Sequence, residues 1–502
     1  MTIADLLKEN ERLKNQLAEQ DEELQRLKED NENYRKVIFG KRSEKRSFDS
    51  AAHGYSNLFD EAEETLEEES RAPRLIKDED RDRNRQKRGG RNPLPEDLER
   101  DIHRLNPSPE EMLCEHCNSE LQQMGEKVTE KIEVIPEKVY VKRIVRPQFV
   151  CKSCNEISSK IAVKPLPKML LPKASAGAGF MAHAIHRKFG DRIPFYHYAK
   201  SLGHAGIDIS RQDLSRWTID VFENHLQNQM DELRKALFKT DYIQGDETPL
   251  QVLTHKKKNY IWAFHGLIEN IKIAYFHHTT GRSAEFLKDW LKDFSGVYQT
   301  DGYESYDTHL GALPDVIHGG CNTHARRKFT ECKAGEEAEF VLNEYAKIYK
   351  IEADLVKANA PPELILATRK EKSLPVLQGL RDRMNDWALK FRPTGNFGKA
   401  VKYFLNEYEK LIVFIYHPEV RPDTNLVEND IRPFAVGRKN WLFAGSERGA
   451  KASAAFYTLI QIANLNGWDP YSFLHRLFLT IESTDGEIDL VSFILGYSPA
   501  DA

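Results

Sequence analysis

The sequence predicts a multidomain α+β protein. It divides into an N-terminal coiled coil, a cysteine-rich module, a helical segment with a helix-turn-helix pattern, and an α/β core interrupted by a helical insertion. Three observations carry this prediction. An apolar heptad repeat runs through residues 3–38. Two Cys-x-x-Cys pairs bracket β-branched segments between residues 114 and 154. Between residues 241 and 320 the apolar period changes from that of a helix to that of a strand.

A chain of 502 residues is too long for one ordinary domain, and its 40% hydrophobic content is enough to fill a core. No apolar run approaches the length of a membrane span, so no membrane partner is expected. The first forty residues are charged and lack the apolar core of a signal peptide, so the expected location is cytoplasmic. The net charge of −5 means that any nucleic-acid contact must rest on local basic patches. In a reducing compartment, four of the six cysteines arranged as two Cys-x-x-Cys pairs point to a metal rather than to disulfides.

In the heptads of residues 1–40, Ile3, Asn10, Leu17, Leu24, Asn31 and Ile38 occupy the a positions, and Leu6, Leu13, Gln20, Leu27 and Tyr34 the d positions. Asn at a fixes register in a parallel dimer, so this segment is expected to make a homodimer or higher oligomer. A single amphipathic helix docked on its own chain is the alternative. Residues 41–100 read as a charged linker with a basic arm, Arg81 to Arg91. Such an arm either lies along DNA phosphates or is a solvated tether.

Within residues 101–165, Cys114, Cys117, Cys151 and Cys154 are joined by the segments 127–135 and 138–145. Two knuckles joined by a hairpin set four thiolates around one ion, the pattern of a zinc ribbon and a closed structural Zn2+ site. Residues 170–235 read as helices. Ser210 followed by Asp213 forms a capping-box variant at the start of a helix that carries Arg211, Gln212 and Arg216 on its polar side. This pattern suits a DNA-reading helix, or an ordinary helical hairpin.

Residues 236–445 form the expected catalytic domain. Strands are predicted up to Asp246, over 251–254 with 260–265, and over 271–276, followed by a helix at 286–291 and strands at 296–300 and 316–318. That order is ribonuclease-H-like and brings the ends of its first and fourth strands side by side. Residues 333–420 read as a helical insertion and residues 446–502 as a C-terminal helical segment. The expected site is Asp246 at one strand end, Asp301 at another and Glu428 on a helix. Oxygen ligands of this kind suit Mg2+ or Mn2+ and phosphoryl transfer on DNA. Glu247 stands beside Asp246 as a structural acid, a supporting partner or the true ligand.

Several stretches together resemble the insertion-sequence-sixty-six family of transposases, bacterial enzymes with an Asp-Asp-Glu site. They are Ile38 to Lys45, the four-cysteine segment, Gly245-Asp246-Glu247-Thr248, Thr300-Asp301-Gly302-Tyr303, Cys321 to Phe329, Asn425 to Pro433, and Gly437 to Ser446. The resemblance covers nearly the whole chain. It implies metal-dependent cleavage and strand transfer at the element ends through Asp246, Asp301 and Glu428, with double-stranded DNA as partner and small companion proteins from the same element. It further implies that His324 contacts a phosphate near the scissile bond, and that Arg326, Arg327, Arg438 and Lys439 hold backbone phosphates. A nucleoid-associated bacterial protein follows from the same resemblance. Two other readings are a zinc-containing DNA-binding regulator with a silent core, and a nuclease that cuts without joining. Cys321 and Cys332 are expected as buried thiols.

Overall fold

A computed structural model describes residues 139–149, 162–163, 165–332, 335–484 and 486–499. The predicted coiled coil, the linker with its basic arm, and the four paired cysteines lie outside the described residues. Of the predicted hairpin, one arm lies outside the described residues; residues 139–147 of the other carry no strand, and Tyr140, Val141 and Val145 are exposed. The pairing that does form joins β1 (Gln148–Phe149) to β2 (Ala162–Val163), antiparallel.

Helices α1 (Ala178–Ile185), α2 (Phe195–His204), α3 (Arg211–Val221) and α4 (Gln227–Leu237) come first. The Ser210 hydroxyl accepts from the Asp213 amide at 3.1 Å and donates to its carboxylate at 2.7 Å, so the sequence-predicted cap starts α3. Leu214 and Trp217 are buried, while Arg211, Gln212 and Arg216 face outward.

The sheet is built from β3 (Tyr242–Leu250), β4 (Asn259–Ile268), β5 (Ile271–Thr280), β6 (Gly296–Gln299) and β7 (Val316–Gly319). Its order is β5-β4-β3-β6-β7, with β3, β4 and β5 antiparallel in sequence and β6 and β7 parallel to β3. Short helices α5 (Phe286–Trp290) and α6 (Glu304–Leu310) flank β6. Two expectations are corrected. Strand β3 does not end at Asp246: its pairing with β4 continues to Leu250↔Asn259, and only the pairing with β6 stops, at Gln244↔Gln299. Residues 251–254 form no strand of the sheet; Val252 makes one bridge to Ala444 before the chain turns.

Both faces of the sheet are covered, which is why Ile261, Trp262, Ala263 and Phe264 are all fully buried in succession. Trp262 packs edge-on to Phe286 and Tyr306, which identifies the face under α5 and α6. Phe276 packs against Phe434 and Tyr457 on the other face, under α12 (Asn425–Trp441) and α13 (Glu447–Leu465). The Thr458 hydroxyl accepts from the Phe276 amide at 2.9 Å, satisfying a donor on the edge strand. Helices α14 (Pro470–Ser483) and α15 (Leu490–Leu495) complete the described C-terminal part. No helix among the described residues is long and apolar enough to cross a membrane.

Between β7 and α12 the chain makes α7 (Asn322–Thr330), α8 (Glu336–Lys357), α9 (Pro362–Thr368), α10 (Leu374–Lys390) and α11 (Asn396–Leu411). Residues 333–420, where the spacing predicts helices, hold α8 to α11, and with α7 these have a core of their own around Phe329, Tyr345, Met384 and Phe404. The two ends of the insertion are stapled. Asn322 donates from its backbone amide to Pro422 O at 2.9 Å and from its side chain to Leu411 O at 3.0 Å, and Gly320 N donates to Lys410 O at 3.0 Å.

Inside the insertion, buried Arg369 forks onto Glu352 at 2.7 and 2.9 Å and also donates to Phe414 O and His417 O. A lysine has neither the fork nor enough donors to satisfy four acceptors. Arg369→Lys should therefore cost the insertion about 3 kcal/mol. Hydrogen exchange should show this as faster exchange in α8–α11, with β3–β5 unchanged.

Candidate active site

Alternation along β3 sorts its residues between the two faces of the sheet. Glu247 pairs with Trp262 and lies on the α5/α6 face, whereas Asp246 pairs with Ala263 and lies on the α12 face. In the parallel pair Gln244 stands opposite Gln299, so Asp246 and Asp301 both come two residues beyond that last rung. Glu428 occupies the first turn of α12. Asp246 is half-buried, and its carboxyl is held well above the usual range, first by burial and then by the charges of Glu247, Asp301 and Glu428. The three acids that the sequence predicts thus lie near enough to one another for the charges of Asp301 and Glu428 to act on Asp246.

Glu247 belongs to a different network. Arg282 Nε donates to Glu247 Oε1 at 2.6 Å, and the Tyr306 hydroxyl donates to Oε2 at 2.5 Å. The Arg282 guanidinium in turn lies 3.8 Å over the Tyr303 ring. With both oxygens engaged and only 3% exposure, Glu247 is a structural acid beneath the site. The glycines beside the aspartates answer a steric demand: a Cβ on Gly245 would lie 2.0 Å from the Tyr298 hydroxyl, and one on Gly302 would lie 2.2 Å from that of Tyr403.

Around Glu428, the Thr424 hydroxyl donates to Oε1 at 3.1 Å, His324 Nδ1 lies 3.7 Å from Oε1, and Arg327 lies 4.0 Å from Oε2. Burial opposes a charge on His324, but Cys321, then Glu428 and Asp301, outweigh it and raise its pKa to about 10. Cys321 is buried and its sulfur accepts from Thr424 N at 3.4 Å; Cys332 is buried too, so both thiols lie where the sequence predicts. Cys321, His324 and Glu428 each place one ligand atom within 4.8 Å of the others. Arg326 lies half-buried on α7, beside Arg327. Arg438 and Lys439 sit in the last turn of the same helix as Glu428, about 15 Å along its axis. On α3, Arg216 pairs with Asp213 at 2.6 Å.

Sequence reasoning misses the amides that tie these elements together. Gln244 is fully buried on the α12 face. Its Oε1 accepts from Val427 N at 3.1 Å, and its Nε2 donates to Asp423 O at 2.8 Å and to the Tyr242 hydroxyl at 2.7 Å. Gln299 donates to Gly320 O and Arg421 O, both at 2.9 Å. The available signal was a repeat: Gln244-Gly245-Asp246 and Gln299-Thr300-Asp301 have the same Gln-x-Asp spacing at two predicted strands.

A family model described as "Transposase IS66 family" matches residues 173–452, more than half of the chain and all of the geometry above. The chain belongs to that family. A second model, "zinc-finger binding domain of transposase IS66", matches residues 111–155 of this IS66 family member and spans Cys114, Cys117, Cys151 and Cys154. That match supports Zn2+ as a constituent. A third model, "Transposase C of IS166 homeodomain", matches residues 26–102. Among curated proteins, the IS66 family member is similar to the uncharacterized protein y4jD of Sinorhizobium fredii, at 28% identity with 78% of each chain covered. It is also similar to the uncharacterized protein y4hP of the same organism, at 28% identity over 77% of this chain and 73% of the relative. The family is one of transposases, which makes DNA the partner class and transposition the activity class.

Proposed function

We propose that this IS66 family member is a transposase that cuts and joins DNA through Asp246, Asp301 and Glu428, with Mg2+ or Mn2+ bound between them. The observation that carries this reading is the register of β3 with β6, in which Asp246 and Asp301 each follow the last rung by two residues, together with the influence of Asp301 and Glu428 on Asp246. The strand order, with an antiparallel trio followed by two parallel strands, supports a ribonuclease-H-like core. The donor set fits the metals: three carboxylates in mutual repulsion offer only oxygen, the preference of hard divalent ions. Bound there, such ions supply an activated oxygen nucleophile and neutralise charge at phosphorus.

The chain's own groups bind and orient the substrate. His324, charged above neutral pH, and Arg327 sit beside Glu428, where they grip the phosphate next to the scissile bond. Arg326, Arg438 and Lys439 hold backbone phosphates farther out. The exposed Arg211, Gln212 and Arg216 of α3 read the element end in a groove. The domains follow in order: 1–40 dimerises, 41–100 links, 101–165 binds zinc, 170–235 binds DNA, 236–445 catalyses, and 446–502 closes the helical cover. Companion proteins of the same element assist.

The test is a strand-transfer assay with full-length, zinc-loaded protein, a donor carrying the element's inverted ends, a target plasmid and Mg2+. Joined products that require both ends are expected. Cleaved ends without joined products would make the chain a nuclease, and end-binding without any cleavage would make it a regulator; either result overturns the proposal.

A further inference from the structure

The helix that carries Glu428 is capped by its own chain at the first amide, where the Asp423 carboxylate takes Asn425 N at 3.2 Å, but not at the amide of Val427. The Thr424 side chain makes no capping bond to the first turn of α12 and spends its hydroxyl on Glu428 instead. A first-turn amide left without a partner in a buried setting is costly. The missing acceptor comes from another element: Oε1 of Gln244, on β3, takes the Val427 amide. The Gln244 amide group also donates to Asp423 O, so one side chain grips the chain on both sides of the helix start.

Gln244 is itself held in place. The Tyr242 hydroxyl accepts from Gln244 at 2.7 Å and donates to Gln299 Oε1 at 2.5 Å, while Gln299 Oε1 also lies 3.1 Å from Gln244 Nε2. Gln299 is anchored through Gly320 O, just after β7, and Arg421 O, just before α12. Gln244 precedes Asp246 by two residues on the same face of β3, and its rung partner Gln299 precedes Asp301, just past β6, by two residues.

We propose that Gln244 is a positioning residue of the acid site, capping the Glu428 helix from the neighbouring strand, with Gln299 and Tyr242 fixing the orientation of its amide. The ladder sets the spacing of Glu428 from Asp246 and Asp301, and hence the affinity for a divalent ion before DNA arrives. This inference rests on the proposed assignment of the three acids as metal ligands.

The test measures Mn2+ binding by electron paramagnetic resonance on full-length, zinc-loaded protein, together with the Mg2+ concentration that gives half-maximal cleavage. Gln244→Met keeps the length of the side chain and removes every polar contact. It is expected to weaken Mn2+ binding and raise the Mg2+ requirement about tenfold or more, with affinity for end DNA within about twofold. Gln299→Met, which loosens the amide without removing the cap, should shift both in the same direction by about threefold and serves if Gln244→Met does not fold. Leu459→Ala empties a fully buried position in α13 and controls for lost stability alone; it should leave the metal requirement unchanged. If Gln244→Met, or Gln299→Met in its place, matches Leu459→Ala in metal affinity while Asp246→Asn loses Mn2+, the positioning role is wrong and the acid assignment stands. If Asp246→Asn binds Mn2+ as the parent does, the acid assignment itself fails.

Discussion

Asp246→Asn is expected to abolish cleavage and, in the absence of divalent metal, to raise the thermal midpoint. The loss of activity follows from removing a ligand shared by the proposed metal site. About 4 kcal/mol of transition-state stabilisation would vanish, roughly a thousandfold in rate. The gain in stability follows from the crowding of carboxylates: burial and the charges of Glu247, Asp301 and Glu428 all disfavour an ionised Asp246. The neutral amide removes that repulsion at neutral pH, worth about 1 kcal/mol and about 2 °C for a domain of this size. Added Mg2+ should then stabilise the parent protein and leave the variant unmoved. Asp301→Asn and Glu428→Gln should share the loss of cleavage. Calorimetry with and without Mg2+, beside a cleavage assay, checks both halves; a variant that melts lower than the parent without metal would contradict the electrostatic account.

One residue along, Glu247→Ala should behave in the opposite way. Removing a buried carboxylate strips the Arg282 guanidinium of its partner and leaves the Tyr306 hydroxyl without an acceptor. Breaking such a pair costs about 3–5 kcal/mol, a large part of a typical domain's stability. Glu247→Gln preserves size and one acceptor and should cost about half as much. In either variant, the molecules that remain folded should still cleave with Mg2+, because both Glu247 oxygens are engaged by Arg282 and Tyr306 and none is left to bind the ion. Denaturant titration paired with a metal titration of activity separates the neighbours: Asp246 governs the metal, Glu247 the fold.

That pair also shows how far the sequence could be read. Strands, the intervening helices and the helical insertion were legible because period-2 and period-3.6 patterns are local properties. The grouping of Asp246, Asp301 and Glu428 was expected from the predicted strand order and the family resemblance, although Asp246 lies inside β3 rather than at its end. The division of labour between Asp246 and Glu247 was not legible, since it depends on which face of the sheet lies under α12 and which under α5 and α6. Nor was the true end of β3: Thr248 and Pro249 look like a strand break until β4 is seen to pair with them. The roles of Gln244 and Gln299 were not legible either, because an amide gains its meaning from partners far along the chain, here Val427 and Arg421. The cap at Ser210 is the counterexample, legible because its partner is three residues away.

The neck of the insertion has a consequence for how this chain tolerates change. Because Asn322 meets Pro422 and Gly320 meets Lys410, the polypeptide leaves β7 and returns to α12 through nearly the same point. For the acids, the whole excursion is equivalent to a short hairpin turn. The entropy of closing a loop grows only with the logarithm of its length, so adding or removing helices beyond the neck changes that cost by well under 1 kcal/mol per doubling. The middle of the excursion, α8 to α10, is therefore free to lengthen, shrink or be exchanged among descendants of this chain, provided the stapled crossing, α7 with His324 and Arg327, and Tyr403 against Gly302 stay.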